Sequence, residues 1–258
     1  MITEQPMNYY TNMKKLEGSR FGAIHLMERK SDKQLLVLKQ VDQNSEEDRV
    51  AAINECCLMR YIDSPYVLSC EEVFDFDNKV WMFLQYMPGG DLTKILNMAK
   101  STFTELSEEF CKYTLYCVAQ GVADMHSNGV LHRDIKSDNV LFKDDGTIKI
   151  ADLGFAVKLT DAVAWRTSQL GTLAWMSPEN AQGQPYAEEV DVWSFGCFAF
   201  ELTKGEPPLM ALANDVGNFI EEITQQEVVE RIPDRYSDEF ADFVAMAMQK
   251  DKLDRWTM

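Results

Sequence analysis

The stretch VLHRDIKSDNVLF, residues 130–142, carries the side chains best suited to chemistry in this sequence. It holds two carboxylates, an amide, a lysine and an arginine within eight residues. Ten residues further on, IADLG places Asp152 between an apolar run and a flexible glycine. Loops on a rigid scaffold are where catalytic groups concentrate. These two stretches are therefore the first candidates for a catalytic site.

The sequence around these loops predicts the elements that position them. A helical pattern begins at Ser107, a residue type common at N-caps, and ends at the stop signal Asn128-Gly129. Short strands are predicted at 139–142 and 147–150, joined by a turn rich in Asp and Gly. The rest of the C-terminal part predicts helices that are interrupted at KGEPP and IPDRYS.

The first third of the chain predicts mostly strands. The apolar runs at 22–29 and 34–41 predict two strands. Residues 66–87 predict two more strands, joined by an Asp-Asn turn. Residues 45–62 have helical spacing, with Ser45 as the N-cap. That spacing is carried by Val50, Ile53, Cys57 and Ile62. The pattern predicts an α+β fold with a small β-rich lobe, a larger helical lobe and a cleft between them that suits a small molecule.

Composition excludes several classes of protein. The chain has 258 residues and is 46% hydrophobic, enough for a sizeable core. Its net charge of -17 argues against nucleic acid or an anionic membrane as a partner and favours basic proteins. No apolar run nears the roughly 20 residues that span a bilayer. Six cysteines without a C-x-x-C pair predict buried, reduced thiols in a cytoplasmic protein, not a zinc site.

The stretch LEGSRFGAI, residues 16–24, is open to three interpretations. A phosphate loop of the form GxGxxG needs backbone that approaches the ligand closely, which glycine permits. If Gly22 is the third glycine, Glu17 and Ser19 occupy the first two places. By itself the stretch fits a working nucleotide loop, a decayed one or an ordinary turn.

Taken in order, these motifs resemble the eukaryotic protein kinase family. HRDIKSDN matches the catalytic-loop pattern H-R-D-[LI]-K-x-x-N, DLG stands for D-F-G, and GTLAWMSPEN matches the segment ending in A-P-E, with Ser177 for Ala. KDKLDRWTM resembles the late K-D-P-x-x-R-x-T, with Lys252 for Pro. Lys136, two residues after Asp134, is typical of serine/threonine kinases. HRDIKSDN, WMSPE and GEPP together are most like STE-type kinases of the p21-activated and germinal-centre groups.

The resemblance implies one bilobal kinase domain over residues 1–258. Its N-lobe would cover about 9–84, its hinge about 85–90 and its C-lobe about 91–258. Members of the family usually continue with another helix, so the resemblance also implies a truncated C-terminal end.

The implied reaction is transfer of the ATP γ-phosphate to a protein hydroxyl with the help of Mg²⁺. Asp134 matches the residue that accepts the hydroxyl proton, and Lys136 the one that steadies the γ-phosphate. Asn139 and Asp152 match the Mg²⁺ ligands, whose hard oxygens suit that ion.

The implied nucleotide site begins with Lys39, which matches the strand lysine on the α and β phosphates. Glu55 matches the helix glutamate that pairs with it. The backbone of the hinge would bind adenine. Val37 stands where the family usually has Ala and would make the adenine-binding site narrower. The full ATP-binding set is Leu16, Ser19, Gly22, Ile24, Val37, Lys39, Leu84, Gln85, Tyr86, Met87, Asp91 and Leu141.

The register with Lys39 makes residues 16–24 the glycine-rich loop, so weakened ATP binding is expected. The rival hypothesis is a pseudokinase or scaffold module, which the degraded loop favours and the intact catalytic set opposes. A third hypothesis, a P-loop enzyme of another class, is disfavoured because the sequence contains no G-x-x-x-x-G-K-[ST] motif.

The resemblance also implies regulation and a substrate class. In the family, the arginine at Arg133 pairs with a phosphate on the activation segment, residues 152–179, which points to Ser168 or the adjacent Thr167 as the phosphosite. An upstream kinase or autophosphorylation would supply that phosphate. The expected substrates are proteins with serine in a basic context. The acids expected to read that context are Asp91, Asp138 and Glu201.

Overall fold

A computed structural model shows how the chain folds. It describes residues 1–19, 22–160, 162–225 and 231–258. The chain divides into two compact units. The first comprises Met1–Pro88 with Asp152–Gly154, and the second Gly89–Ala151 with Phe155–Met258. Strands dominate the first unit and helices the second, in agreement with the α+β prediction.

The first unit is a five-stranded antiparallel sheet with one helix. Its elements are β1 (Tyr10–Ser19), β2 (Gly22–Arg29), β3 (Leu35–Asp42), α1 (Glu46–Tyr61), β4 (Cys70–Phe76) and β5 (Lys79–Gln85). The strand order is β1-β2-β3-β5-β4, and α1 packs against β3, β4 and β5. All the strands and the helix predicted in this part are present, and β1 is a further strand that the sequence analysis did not predict.

Local chemistry explains where α1 begins and how β4 turns into β5. Ser45 and Asp48 form a reciprocal capping box, which satisfies two N–H groups at the helix start. The Asp-Asn turn lies at Asp77 and Asn78, with φ of 53° and 55°. Two consecutive positive φ values give the turn the twist that a two-residue hairpin requires.

The apolar face predicted for α1 is wrong in part. Val50 is 56% exposed and Cys57 is exposed, whereas Ile62 is buried as expected. The stripe that faces the sheet instead follows i, i+3, i+4 and i+7 spacing from residue 52. It consists of Ala52, Glu55, Cys56 and Met59. The apolar pattern does not mark this stripe because the stripe contains the charged Glu55. The other five cysteines are buried, and all six are free.

The second unit is built around a helix that is buried along almost its whole length. Its helices are α2 (Leu92–Thr102), α3 (Glu108–Ser127), α4 (Pro178–Ala181), α5 (Glu189–Lys204), α6 (Val216–Gln225) and α7 (Asp238–Ala247). Every residue of α5 from Val190 to Thr203 is buried, as expected for a helix that is packed on all sides. The sequence did not predict α2 or α4 as separate helices.

Short strands complete the second unit. They are β6 (Gly90–Asp91), β7 (Val130–Leu131), β8 (Val140–Phe142), β9 (Ile148–Ile150) and β10 (Val157–Lys158). The orders are β6-β8-β9 and β10-β7. α3 begins at the N-cap Ser107 as predicted, and the 139–142 and 147–150 strands are β8 and β9. Among the described residues, no helix has the length and apolar character to cross a membrane.

Candidate active site

The loop between β7 and β8 gathers four donors around one buried carboxylate. Asp134 is 2% exposed. Its Oδ2 accepts hydrogen bonds from Lys136 Nζ at 2.5 Å and from Asn139 Nδ2 at 2.9 Å. Its Oδ1 accepts from the backbone N–H of Thr172 at 3.0 Å and from the Thr172 hydroxyl at 2.6 Å. The structure thus brings together three residues that the sequence singled out, and adds Thr172.

These contacts decide the ionisation of Asp134. Burial alone would raise its pKa, but the Lys136 ammonium and the hydrogen bonds from Lys136 and Thr172 hold the pKa below the usual value for aspartate. The carboxylate is therefore ionised at neutral pH and can accept a proton.

The same loop has a strained backbone that a distant carboxylate holds in place. Arg133 has a φ of 68°, which is unfavourable for a residue with a side chain. Asp191, in α5, accepts hydrogen bonds from the backbone N–H groups of His132 at 2.8 Å and Arg133 at 2.7 Å. His126 Nε2 lies 2.9 Å from the same carboxylate.

Asp191 is a positioning residue that the sequence analysis missed. It is completely buried, and although burial opposes its ionisation, the His126 and Arg133 hydrogen bonds keep its pKa below normal. A signal was available in the sequence, since DVWSFGCFAFE places one acid at the start of a long apolar run. A charged side chain in such a helix must have partners if it is buried.

Gly171 allows the chain before Thr172 to approach the loop closely. Its φ is 121°, and a Cβ at this position would lie 2.6 Å from the carbonyl oxygen of Arg133. No other residue type fits there without moving the backbone. The glycine of GTLAW therefore secures the position of Thr172 next to Asp134.

In the first unit, a lysine and two carboxylates form a compact group. Lys39 Nζ lies 2.7 Å from Glu55 Oε1 and 3.3 Å from Asp152 Oδ1. Burial alone would lower the pKa of Lys39, but the two carboxylates raise it above normal, so the ammonium is charged. Asp152 has a φ of 60°, a second strained position among the predicted site residues.

Strand register places the predicted adenine residues on the Lys39 face of the sheet. Leu16 lies opposite Ile24, Ile24 opposite Lys39, and Val37 opposite Leu84. Directly opposed residues share a face, as do residues two apart along a strand. The opposite face carries the core cluster of Tyr10, Met27, Leu36, Leu38, Phe74 and Phe83.

The other predicted ATP-binding residues fall in three places. Gln85, the last residue of β5, and Tyr86 are half-buried, and Met87 is buried. Asp91 and Leu141 belong to the second unit, where they are register partners in the β6–β8 pair. Ser19 and Gly22 pair as the last partners of the β1–β2 hairpin. The two residues between them, Arg20 and Phe21, lie outside the described residues.

Each of the two predicted Mg²⁺ ligands, Asn139 in the second unit and Asp152 in the first, has an oxygen that suits this ion. Asn139 donates both amide hydrogens to Asp134, to its backbone and its side chain, so the amide oxygen is the atom that remains for a cation. Asp152 offers a second carboxylate oxygen besides the one that contacts Lys39. Hard oxygen ligands of this kind fit Mg²⁺. Among the described residues, no group of three or more His, Cys, Asp or Glu side chains could hold a metal ion.

Residues 10–258 match the family model described as Protein kinase domain. The chain belongs to the protein kinase family. This match confirms the predicted kinase fold, with its strand-rich and helix-rich parts.

Curated relatives narrow the resemblance within the kinases. Serine/threonine-protein kinase PAK 4 of Mus musculus is 33% identical over 203 residues, which are 79% of this chain and 33% of the relative. Serine/threonine-protein kinase shk1/pak1 of Schizosaccharomyces pombe is 32% identical over 211 residues, 80% of this chain and 31% of the relative. Serine/threonine-protein kinase PAK mbt of Drosophila melanogaster is 34% identical over 192 residues, which are 74% of this chain and 29% of the relative.

These similarities confirm the predicted likeness to p21-activated serine/threonine kinases. The kinase chain spans about a third of the length of these relatives.

Ser168, one of the two predicted phosphosites of the kinase, lies next to Arg133, the residue expected to pair with the phosphate. Arg133 donates from Nη1 to the Ser168 hydroxyl at 2.9 Å and to the Tyr186 hydroxyl at 3.1 Å. Its Nε donates to the carbonyl oxygen of Phe155 at 2.7 Å. Ser168 is exposed. Of the two residues considered, Ser168 is the one whose side chain contacts Arg133.

The acids expected to read the substrate differ in their surroundings. Asp138 is exposed. Asp91 caps α2 by accepting from the Lys94 N–H and pairs with the Lys94 ammonium at 3.0 Å. Glu201 is only 4% exposed and accepts hydrogen bonds from Ser137 and Trp175. Of the three acids, Glu201 is the one that is buried, and its part in reading the substrate stays a prediction.

Arg255 and Glu179 form a buried ion pair in the second unit. Arg255 donates two parallel hydrogen bonds to Glu179, at 2.5 and 2.8 Å, and both side chains are buried. Such a bidentate contact is among the stronger ion pairs in proteins.

Proposed function

We propose that this chain is an ATP-dependent serine/threonine protein kinase that transfers the γ-phosphate of ATP to protein hydroxyls. The observation that carries the proposal is the Asp134 group. An ionised carboxylate, held by Lys136, Asn139 and Thr172, is a suitable acceptor for the proton of an attacking hydroxyl. Lys136 adds a positive charge beside it, where a transferred phosphoryl group needs neutralisation.

The nucleotide is assigned to the Lys39 face of the first unit. The charged Lys39 would hold the α and β phosphates, with Glu55 fixing its direction. Leu16, Ile24 and Val37 supply a half-buried apolar surface for the base. Asn139 and Asp152 would hold Mg²⁺, which neutralises phosphate charge when bound.

The alternative, a pseudokinase or scaffold module, is favoured by one feature alone. Glu17 and Ser19 stand where the glycine-rich pattern has its first two glycines. A Mg²⁺-dependent assay of label transfer from ATP to a generic basic protein separates the two. Transfer above the rate of a chain lacking the Asp134 carboxylate supports the kinase. Nucleotide binding without transfer would support the pseudokinase.

We expect phosphorylation at Ser168 to raise activity. A phosphate adds about -1.5 to -2 charge and three strong acceptors, and here it would meet the Arg133 guanidinium that already contacts the hydroxyl. Mass spectrometry locates the phosphate, and kcat/KM before and after phosphatase treatment measures its effect. Ser168→Ala should abolish the activation.

Thr167→Ala is the matched control for this prediction, because Thr167 is the exposed neighbour. It should keep the phosphatase response. If the response follows Thr167 instead, the phosphosite is the threonine, and if neither variant changes it, regulation through Arg133 is wrong.

We expect a serine acceptor with arginine two or three residues before it. The exposed Asp138 is next to Asn139 in the catalytic loop and is the acid best placed to meet such an arginine, which pairs well with carboxylates. The net charge of -17 would also speed encounter with basic segments. A positional peptide library measures this preference. Selection for acidic residues before the serine, or for proline after it, would contradict the assignment.

We therefore propose that the partners of this chain are basic protein substrates. The Ser168 phosphate would come from an upstream kinase or from autophosphorylation. The cytoplasmic location stays a prediction from the cysteine pattern.

A further inference from the structure

We propose that a cavity between α2 and the end of α5 binds a protein segment in which a bulky apolar side chain stands next to a carboxylate. The cavity has a volume of about 380 Å³ and lies within the second unit. It is lined by α2 and the loop that follows it, by residues 202–205 and by Arg235. None of these residues is assigned to ATP, Mg²⁺ or the acceptor serine, so the inference does not depend on the proposed kinase function.

The bottom of the cavity is apolar. Leu96 of α2 and Leu202 of α5 are buried there, and Ala99 and Leu106 beside them are half-buried. Ligand sites in proteins have volumes of about 300 to 1,000 Å³ and are lined mostly by apolar side chains with a few polar groups. The cavity therefore suits a bulky apolar side chain of a partner.

Basic side chains stand at the solvent side of the cavity. Of the described residues that line it, Lys100, Lys204 and Arg235 are basic, and one, Glu105, is acidic. This balance is the reverse of the whole chain, which has 25 lysines and arginines against 42 aspartates and glutamates. The local charge therefore favours a carboxylate beside the apolar group.

The ion pairs at the cavity leave room for such a carboxylate. Lys100 pairs with Glu206 at 3.3 Å, and Arg235 pairs with Glu105 at 2.9 Å. Both acids are exposed, and exposed ion pairs contribute little to stability. A carboxylate of the partner can therefore replace Glu105 or Glu206 at little cost to the fold.

Phe103 indicates that the ligand is a protein segment. It is 96% exposed at the edge of the cavity. It also ends α2 in a left-handed conformation, with φ of 51° and ψ of 34°, where glycine is the usual residue. Strained positions are concentrated at binding sites, and aromatic side chains are enriched in protein interfaces. A protein segment would cover Phe103 while one of its side chains fills the cavity, whereas a small molecule in the cavity would leave Phe103 exposed.

The first test is a selection with random dodecapeptides displayed on phage. The library is selected on the wild-type chain and depleted on Phe103→Gly. Glycine is favoured in the left-handed conformation, so this variant loses the aromatic ring and should be at least as stable as the wild type in thermal unfolding. We expect the selected peptides to share a bulky apolar residue next to Asp or Glu. A selection that yields no such peptides, or that yields basic residues in place of the acids, would overturn the proposal.

Fluorescence polarisation of one selected peptide then measures the single contacts. Phe103→Gly should raise Kd about 10-fold or more, as the loss of an aromatic residue at an interface centre does. Lys100→Met should raise Kd about three- to five-fold, because it keeps the stem that packs on Gly205 and removes the charge. Met98→Ala is the control: Met98 is exposed on α2 outside the cavity, so Kd should not change.

A double-mutant cycle assigns the carboxylate. Replacing the acid of the peptide by its amide should raise Kd as much as Lys100→Met does, and the two changes together should raise it no further. Unchanged affinity in Lys100→Met, or losses that add, would overturn the assignment of the carboxylate to this cavity.

Naphthalene-2-carboxylate tests the other source of the same chemistry, a free acid on an apolar group. We expect it to displace the peptide only at concentrations well above the Kd of the peptide, because it does not reach Phe103. Binding as tight as that of the peptide, and equally tight in Phe103→Gly, would show that the ligand is a small acid and that the protein segment is wrong. All of these measurements are made without ATP, so they decide the inference even if the chain transfers no phosphate.

Discussion

Replacing Asp134 with asparagine is expected to lower phosphotransfer by about 10²- to 10⁴-fold, the usual contribution of a general base. Asparagine keeps the shape and an oxygen for the Thr172 donors, but it cannot take the hydroxyl proton. The measurement is kcat with a serine peptide at saturating Mg²⁺ and ATP. Nucleotide affinity should stay near that of the wild type, because the Lys39 face belongs to the first unit.

The control is Asp144→Asn, an exposed carboxylate in the turn between β8 and β9, which should have full activity. Thermal unfolding must show that Asp134→Asn is folded at the assay temperature, because the change removes the charge opposite the buried Lys136. A folded Asp134→Asn variant with wild-type turnover would refute the proposal that Asp134 is the general base of a kinase.

The second large effect is expected at Lys39. Lys39→Met leaves Glu55, 5% exposed, as a buried carboxylate without its cation and near Asp152. Removing one partner of a buried ion pair costs about 3–5 kcal/mol of unfolding free energy. Activity should fall about 10²- to 10³-fold as well, because a donor to the phosphates is lost. Chemical denaturation and kcat/KM for ATP measure the two effects.

The double variant Lys39→Met with Glu55→Gln separates stability from catalysis. It removes the unpaired charge, so much of the lost stability should return while activity stays low. The matched control is the surface pair Lys79–Asp42, whose side chains are 35% and 63% exposed. Lys79→Met should cost no more than about 1 kcal/mol and leave turnover unchanged. Recovery of activity in the double variant would show that Lys39 does not contact the nucleotide.

Local elements followed the sequence closely. The Ser45 and Ser107 caps, the turn at Asp77-Asn78 and the strands β8 and β9 are formed by neighbouring residues, so their types and spacing are sufficient to place them. The α1 face did not follow, because its buried stripe includes Glu55, which is stabilised there by Lys39 from another element. A pattern search for apolar residues cannot find a face that includes a paired charge.

The sequence by itself determined which residues could perform the chemistry, because HRDIKSDN and DLG hold the carboxylates, amide and lysine within short stretches. Only the tertiary structure decided how they are held. Asp191 reaches Arg133 across 58 positions, and Glu201 reaches Ser137 across 64. The physical reason is that burial and hydrogen bonding of a charged side chain depend on the element packed against it. Glu201, which the resemblance assigned to a substrate arginine, is buried in the structure and accepts hydrogen bonds from Ser137 and Trp175.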